Sequence, residues 1–267
     1  MAENSKIEWT DATFNPWRGC TKVSPACANC YAENDLSVKL HGILWGDNAQ
    51  RAIKAESGWE QPLAWNRKAE REGRRMRVFC GSLCDVFEDR PELVKPRFRL
   101  YDLIEETPWL FWLLLTKRPQ HIARIWRVTS AGIRLNNVGL GVTVESDDYT
   151  WRIAELLRCP AALHFVSAEP MLGGLDLRPW LPVDTIGGVE MEPLIRWVIA
   201  GAESGPKRRP TDIAWIRSLR DQAVTAGIPF LLKQAEINGR LEKSPELDGK
   251  QWLEVPEMLA ELEAPGA

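Results

Sequence analysis

Six short apolar runs, each closing on polar or glycine residues, set the strongest limit on what this chain can fold into. They are M-R-V-F-C-G-S (76–82), W-L-F-W-L-L-L-T-K-R-P (109–119), V-G-L-G-V-T-V-E-S (138–146), A-L-H-F-V-S-A-E-P (162–170), W-V-I-A-G-A-E-S-G (197–205) and I-P-F-L-L-K-Q (228–234). Near-continuous apolar runs of this length mark strands buried on both faces, as in a parallel sheet. Helical spacing fills the gaps at 93–105, 123–129, 149–157 and 211–226, and Gly227 before Ile228-Pro229 is a helix stop. Strand and helix in alternation predict a parallel sheet with crossover connections. With Lys6 to Trp17 as an extended segment ahead of them, six or seven such units predict an α/β fold, a (β/α) barrel left partly open. A chain of 267 residues suits a single domain of this type. The expected organisation is a barrel over 1–240, a helical or irregular insertion at about 41–75, and a loosely attached extension at 241–267, rich in Glu and Pro.

Ahead of the first run lies N-P-W-R-G-C-T-K-V-S-P-A-C-A-N-C-Y-A-E, Asn15 to Glu33, which places Cys20, Cys27 and Cys30 within eleven residues. Pro16, Gly19 and Pro25 keep this stretch out of helix, and Ala26, Ala28 and Ala32 let backbone amides approach sulfur. A set of soft thiolates selects zinc or iron–sulfur. A closed zinc site takes four ligands, and the next cysteine, Cys80, is fifty residues on, which leaves His41 as a loosely spaced fourth. A 4Fe-4S cluster on three cysteines instead keeps one iron open for chemistry, and this is the favoured expectation. Six cysteines in a chain with no secretory pattern argue for thiols or metal ligation over a disulfide framework.

In barrels, function gathers where the strands end. The residues there are Ser82 and Asp85, then Thr116, Lys117 and Arg118, then Thr143, Glu145 and Ser146, then Ser167 and Glu169, then Glu203 and Ser204, and last Lys233 and Gln234. Meeting water accounts for about half of this polarity. Glu145, Glu169 and Glu203, each at a similar offset after a buried run, are better explained by carboxylates that converge on one mouth, where they can bind ribose hydroxyls, an ammonium group or a sulfonium. Cys84, just past a strand end, is expected at the same mouth as a candidate hydrogen donor or ligand of a second cluster, while Cys80 lies in a buried run.

The formal charge of −3 gives no general attraction to nucleic acid or to anionic membranes, so such binding needs a local patch. Thirteen tryptophans spread along the whole chain read as packing. The polar start and the lack of eighteen consecutive apolar residues predict a cytoplasmic protein without a membrane span.

Taken together, the cysteine cluster and the strand-helix repeats with polar strand ends resemble the radical S-adenosylmethionine superfamily, whose usual spacing is Cys-x3-Cys-x2-Cys. The cysteine segment with L-L-T-K-R-P, G-V-T-V-E-S, S-A-E-P and G-A-E-S-G is similar, over about residues 5–235, to a phage-associated three-cysteine-motif family at the edge of that superfamily. The resemblance implies that Cys20, Cys27 and Cys30 hold 4Fe-4S and that the open iron binds the amino and carboxylate groups of S-adenosylmethionine. It implies Gly81 and Ser82 at the methionine amino group, Thr143, Glu145 and Ser146 at the ribose, and Ser167 and Glu169 near adenine. An electron donor such as flavodoxin or ferredoxin is implied as a partner. Three departures stand out: the cysteines are spaced Cys-x6-Cys-x2-Cys, Gly81-Ser82-Leu83-Cys84-Asp85 replaces a Gly-Gly-Glu, and the last strand ends in Lys233-Gln234-Ala235-Glu236 where the family has Lys-Gln-Trp-Gly.

The expected function is therefore an enzyme that reductively cleaves S-adenosylmethionine and acts by radical chemistry on an anionic substrate, a nucleotide or nucleic acid, met by the insertion and by Lys117-Arg118. The alternative is a zinc-stabilised nucleic-acid-binding protein whose Arg71, Arg74, Arg75, Arg77, Lys207, Arg208 and Arg209 track phosphates. Basic residues interleaved with Glu are more often a solvated face.

Overall fold

A computed structural model describes residues 5, 7–40, 42–43, 45–126, 136–181 and 194–260. The six apolar runs become strands β2 (Met76–Cys80), β3 (Leu110–Thr116), β4 (Val138–Thr143), β5 (Leu163–Ala168), β6 (Val198–Gly201) and β7 (Phe230–Ile237), preceded by β1 (Ala12–Phe14) and followed by β8 (Arg240–Lys243). All eight lie in one sheet in sequence order. Each of β1 to β6 pairs in parallel with the next, and β8 alone turns back antiparallel on β7. The sheet curls into a half-barrel whose end strands β1 and β8 do not pair.

Because successive side chains of a strand point to opposite faces, each apolar run feeds two cores. On the outer face Val78, Trp112, Leu114, Leu140, Val142, Val166 and Leu232 pack under helices α1 (Glu60–Glu72), α2 (Val94–Glu105), α3 (Ile122–Ile125), α4 (Trp151–Leu156) and α5 (Ile213–Thr225). On the inner face Phe79, Phe111, Leu113, Leu163, Phe165, Ile199 and Leu231 gather around Trp9 and Trp197. Gly139 and Gly141 give the rings room there: a Cβ on Gly141 would stand 2.3 Å from the Phe165 ring.

The region 41–75 turns out to supply the first crossover. Its helix α1 joins the outer core through Trp65 and Ala69, and Ala52–Ile53, where no strand was expected, pairs antiparallel with Trp17–Arg18. After the cysteines the chain forms one short helix, Leu36–Leu40, and the end of the expected 123–129 helix lies outside the described residues.

Residues 240–260 sit closer to the sheet than a loose extension would. Leu247 and Leu259 are 2% exposed, Trp252 packs on Phe230 with ring centroids 6.1 Å apart, and the Trp197 indole N–H donates to Glu254 O at 3.0 Å. Across the open side of the sheet, Lys243 pairs with Glu8 at 2.9 Å, and the neighbouring Trp9 packs on Phe79 at 4.6 Å between ring centroids.

Candidate functional site

Continuing the inward parity of each strand to its C-terminal end brings Gly81, Lys117, Thr143, Ser167, Gly201 and Lys233 to the rim of the inner core. There they meet the loop that carries Cys20, Cys27 and Cys30. All three cysteines line one cavity of about 450 Å³, together with Gly81, Ser82, Cys84, Asp85, Lys117, Arg118, Thr143, Ser167 and Glu169. Trp9, Phe79 and Leu115 make its floor apolar, and Tyr31, Trp45, Lys233, Gln234 and Lys243 are also in the wall.

Hydrogen bonds fix the cysteine loop at several points. At its root, Asn15 donates to Ser82 Oγ at 2.9 Å and accepts the Leu83 N–H at 2.7 Å, and Gly19 N donates to Leu83 O at 3.1 Å. Pro25 starts a single turn, Pro25–Cys27, that places Cys27. Tyr31 Oη donates to Ser82 O at 2.9 Å.

Beside Cys20 the supports are ionic. Arg118, 5% exposed, donates from Nη1 to Cys20 Sγ at 3.4 Å and to Asp85 Oδ2 at 2.9 Å, and from Nη2 to Thr21 O at 2.6 Å. Arg51, 2% exposed, donates to both oxygens of Glu88 at 2.7 and 2.8 Å and to Thr21 Oγ1 at 2.7 Å. Burial pushes the Cys20 thiol up to about 12, against the pull of Arg118. Burial also works against the Asp85 carboxylate. Arg118, the Thr116 hydroxyl and the N–H groups of Phe87 and Lys117 outweigh it and hold the Asp85 carboxyl below its ordinary value. Cys84, at 9% exposure, is pushed well up by burial and stays a thiol.

Across the mouth the segment after β6 latches the same loop. Glu203 accepts from Asn29 Nδ2 at 3.0 Å and from the Arg209 backbone N–H at 2.8 Å, and pairs with the Arg209 guanidinium, which also donates to Pro25 O at 3.0 Å.

The structure therefore sorts the expected site residues by position. Gly81, Ser82, Thr143, Ser167 and Glu169 stand in the cavity wall with the three cysteines. Glu169 pairs with Lys233 at 2.7 Å, and Gly201 gives it room, since a Cβ there would lie 2.9 Å from Glu169 Oε2. Asp85 is in the wall too, but its carboxylate is spent on Thr116, Lys117, Phe87 and Arg118. Three acids and hydroxyls fall elsewhere. Glu145, 1% exposed, is absent from the cavity and pairs with Arg152 at 2.7 Å; Ser146 is absent too; Glu203 serves as the latch and lines a smaller adjoining cavity with Cys30, Lys117 and Glu169. Of the two expected substrate contacts, Lys117 reaches Thr143 Oγ1 at 3.2 Å, whereas Arg118 is committed to the cysteine loop.

The basic residues proposed to track phosphates are largely paired: Arg77 and Arg74 with Asp11, Arg208 with Glu236 and Arg209 with Glu203. Arg51, Glu88, Asn29 and Arg209 were not expected at the site. Arg51 and Glu88 lie 37 positions apart, so no local pattern announces their pairing, whereas Asn29, inside C-A-N-C, could have been suspected from its place.

Among the described residues, no three His, Cys, Asp or Glu side chains come together tightly enough to hold one metal ion, and His41 lies outside the described residues. Cys20, Cys27 and Cys30 are free thiols lining one cavity, a soft-donor set of the kind that zinc and iron–sulfur clusters both take. No helix among the described residues is long and apolar enough to cross a membrane.

Residues 4–256 match the family model described as "Protein of unknown function (DUF5131)". The chain belongs to that family. No curated protein matches it. Among solved structures it is similar to a cysteine-to-serine variant of spore photoproduct lyase, with a TM-score of 0.47 and 12% identity over 83% of this chain. A doubly substituted variant of the same enzyme, with bound AdoMet and dinucleoside spore photoproduct, gives a TM-score of 0.42 and 10% identity over 81% of this chain. The chain spans 63% and 62% of the lengths of those two proteins.

Proposed function

We propose that this chain is an iron–sulfur enzyme of the radical S-adenosylmethionine type, acting on a nucleotide or nucleic-acid substrate. One observation carries this proposal: Cys20, Cys27 and Cys30 meet the polar C-terminal ends of parallel strands at a single cavity with an apolar floor. The resemblance to the phage-associated three-cysteine family, and a division into a barrel over 1–240 with an extension at 241–267, belong to the same proposal.

When bound, a 4Fe-4S cluster and S-adenosylmethionine would supply one-electron reductive cleavage, with the electron from a flavodoxin- or ferredoxin-like donor. The chain's own residues hold and shield that chemistry. Cys20, Cys27 and Cys30 would ligate the cluster. Gly81 and Ser82 at the end of β2 would meet the methionine amino group, Thr143 the ribose, and Ser167 and Glu169 the adenine edge. Trp9, Phe79 and Leu115, the apolar lining of the cavity, would exclude water from its floor. Lys117, which donates to the Thr143 hydroxyl and, among the described residues, to no carboxylate, is the candidate contact for a phosphate of the substrate. Cys84 stands in the wall as a protonated thiol that a substrate could reach.

The test is anaerobic loading with iron and sulfide, read by absorbance near about 400 nm, where iron–sulfur charge transfer falls, and by EPR with and without S-adenosylmethionine. Wild type is expected to turn brown and to change its reduced EPR signal when S-adenosylmethionine is added. Cys20→Ala, Cys27→Ala and Cys30→Ala are each expected to lose the chromophore, and Cys159→Ala to keep it. A colourless protein with stoichiometric zinc would overturn the proposal.

A further inference from the structure

We infer that Arg118 is a positioning residue that acts through Cys20: its guanidinium sets the charge next to that sulfur and thereby the reduction potential of the cluster held there. This rests on the proposed iron–sulfur function. The geometry is specific to one of the three cysteines. Arg118 Nη1 lies 3.4 Å from Cys20 Sγ, while among the described residues no guanidinium donates to Cys27 or Cys30. Thr21, next in sequence, is gripped from two sides, its carbonyl by Arg118 and its hydroxyl by Arg51.

Behind these contacts stands a lattice of four buried charges. Arg118 faces Asp85 at 2.9 Å and Glu88 at 3.7 Å, and Glu88 faces Arg51 at 2.7 Å. Two guanidinium groups and two carboxylates balance to zero, so the lattice presents Cys20 with a hydrogen-bond donor and no surplus charge. A surface arginine would be screened by water, but this one is enclosed, and in such surroundings a charge acts strongly on its neighbours. Hydrogen bonds to cluster sulfurs and local net charge both set the potential of an iron–sulfur centre. Reduction adds negative charge, which the Arg118 N–H stabilises. Loss of Arg118 removes that donor and also leaves one carboxylate of the lattice uncompensated, and both changes disfavour the reduced state.

The experiment compares cluster midpoint potentials, by EPR-monitored redox titration, at equal iron content per chain. Arg118→Met is expected to shift the reduction equilibrium at least tenfold toward the oxidised cluster, 59 mV lower for one electron. Arg118→Lys keeps the charge without the planar fork. The double variant Arg118→Met, Asp85→Asn restores charge balance without the donor. Each is expected to lie between wild type and Arg118→Met, at least threefold below wild type, or about 28 mV by the same constant. The double variant Arg209→Met, Glu203→Gln loosens the loop from the other side without touching a sulfur, and is expected to keep the wild-type potential.

A loaded wild type with Arg118→Lys and the charge-balanced double variant both at the wild-type potential overturns the inference, even where Arg118→Met fails to fold. The same holds if the latch variant shifts as far as they do, since loosening of the loop would then suffice. A wild type that takes up no cluster fails the proposed function itself, and that outcome is distinguishable from the others.

Discussion

Glu145 and Arg152 are each about 1% exposed and face one another at 2.7 Å, with the Arg152 guanidinium also donating to Thr143 O at 2.8 Å and lying 4.4 Å over the Tyr149 ring. Removing one member of a buried ion pair leaves the other without compensation, which costs about 3–5 kcal/mol. Glu145→Gln is therefore expected to lower unfolding stability by about 3 kcal/mol, read as a shift of the urea midpoint, with S-adenosylmethionine affinity unchanged in the folded fraction. An unchanged midpoint with affinity reduced about tenfold would make Glu145 a ligand contact after all. The case shows which parts of the site were legible. Residue type and strand-end position pointed to Ser82, Thr143, Ser167 and Glu169, all in the cavity wall: alternation carries Thr143 and Ser167 there along β4 and β5, and the turns just past β2 and β5 bring Ser82 and Glu169. The same reading pointed to Glu145, but past the end of β4 that side chain pairs with Arg152 of α4, which strand alternation does not report. The same limit hid Arg51, whose partner Glu88 comes from a distant loop.

Between elements, the sheet depends on small residues where large ones cross. On β4, Gly139 stands 3.0 Å from Leu113 and Gly141 2.3 Å from Phe165, measured from the Cβ that each would carry if replaced by alanine. Phe165 is fully buried and packed against Trp197 and Trp9, so its ring has nowhere to withdraw. Gly141→Ala is expected to destabilise the fold by about 1–3 kcal/mol through overpacking, with the loss seen in thermal or denaturant unfolding. Phe165→Leu in the same chain should recover part of it; a Gly141→Ala protein as stable as wild type would show that the inner core yields more than its packing indicates. The strands themselves were plain in the sequence because burial on both faces makes their apolar runs continuous. The first crossover helix was not. Over Glu60–Glu72 only Pro62, Trp65 and Ala69 are buried, an apolar stripe too narrow to stand out among Arg, Lys and Glu. Nor was β8, an edge strand whose R-L-E-K is mostly exposed and held by backbone pairing that side-chain pattern does not report.

At the scale of the whole molecule, outer-core packing extends to the ribbon that carries the cysteine loop, and there a lysine gives stability a pH signature. Lys54 follows the Ala52–Ile53 strand, its backbone N–H donates to Pro16 O at 3.0 Å, and its ammonium lies 4.8 Å over the ring of fully buried Phe14. Burial draws its ordinary value of 10.5 down to about 8, with Arg18 adding to the effect and Cys80 and Cys84 opposing it. The folded value is thus below the unfolded one. Below pH 8 both states hold the proton, and folding bears the full cost of burying the charge. Between about 8 and 10.5 the unfolded chain binds more protons, so stability rises with pH; above that range the cost is gone. Lys54→Met keeps the aliphatic stem over Phe14 and removes the ammonium. It is expected to be more stable than wild type at pH 7 by on the order of 1–2 kcal/mol, a margin set below the full linkage value because the side chain is partly solvated. The difference should shrink steadily from pH 8 to 10.5, where both side chains are neutral. Urea unfolding of the two proteins at intervals across that range makes the comparison, and a difference that stays constant with pH would show that the Lys54 ammonium is solvated in the folded state.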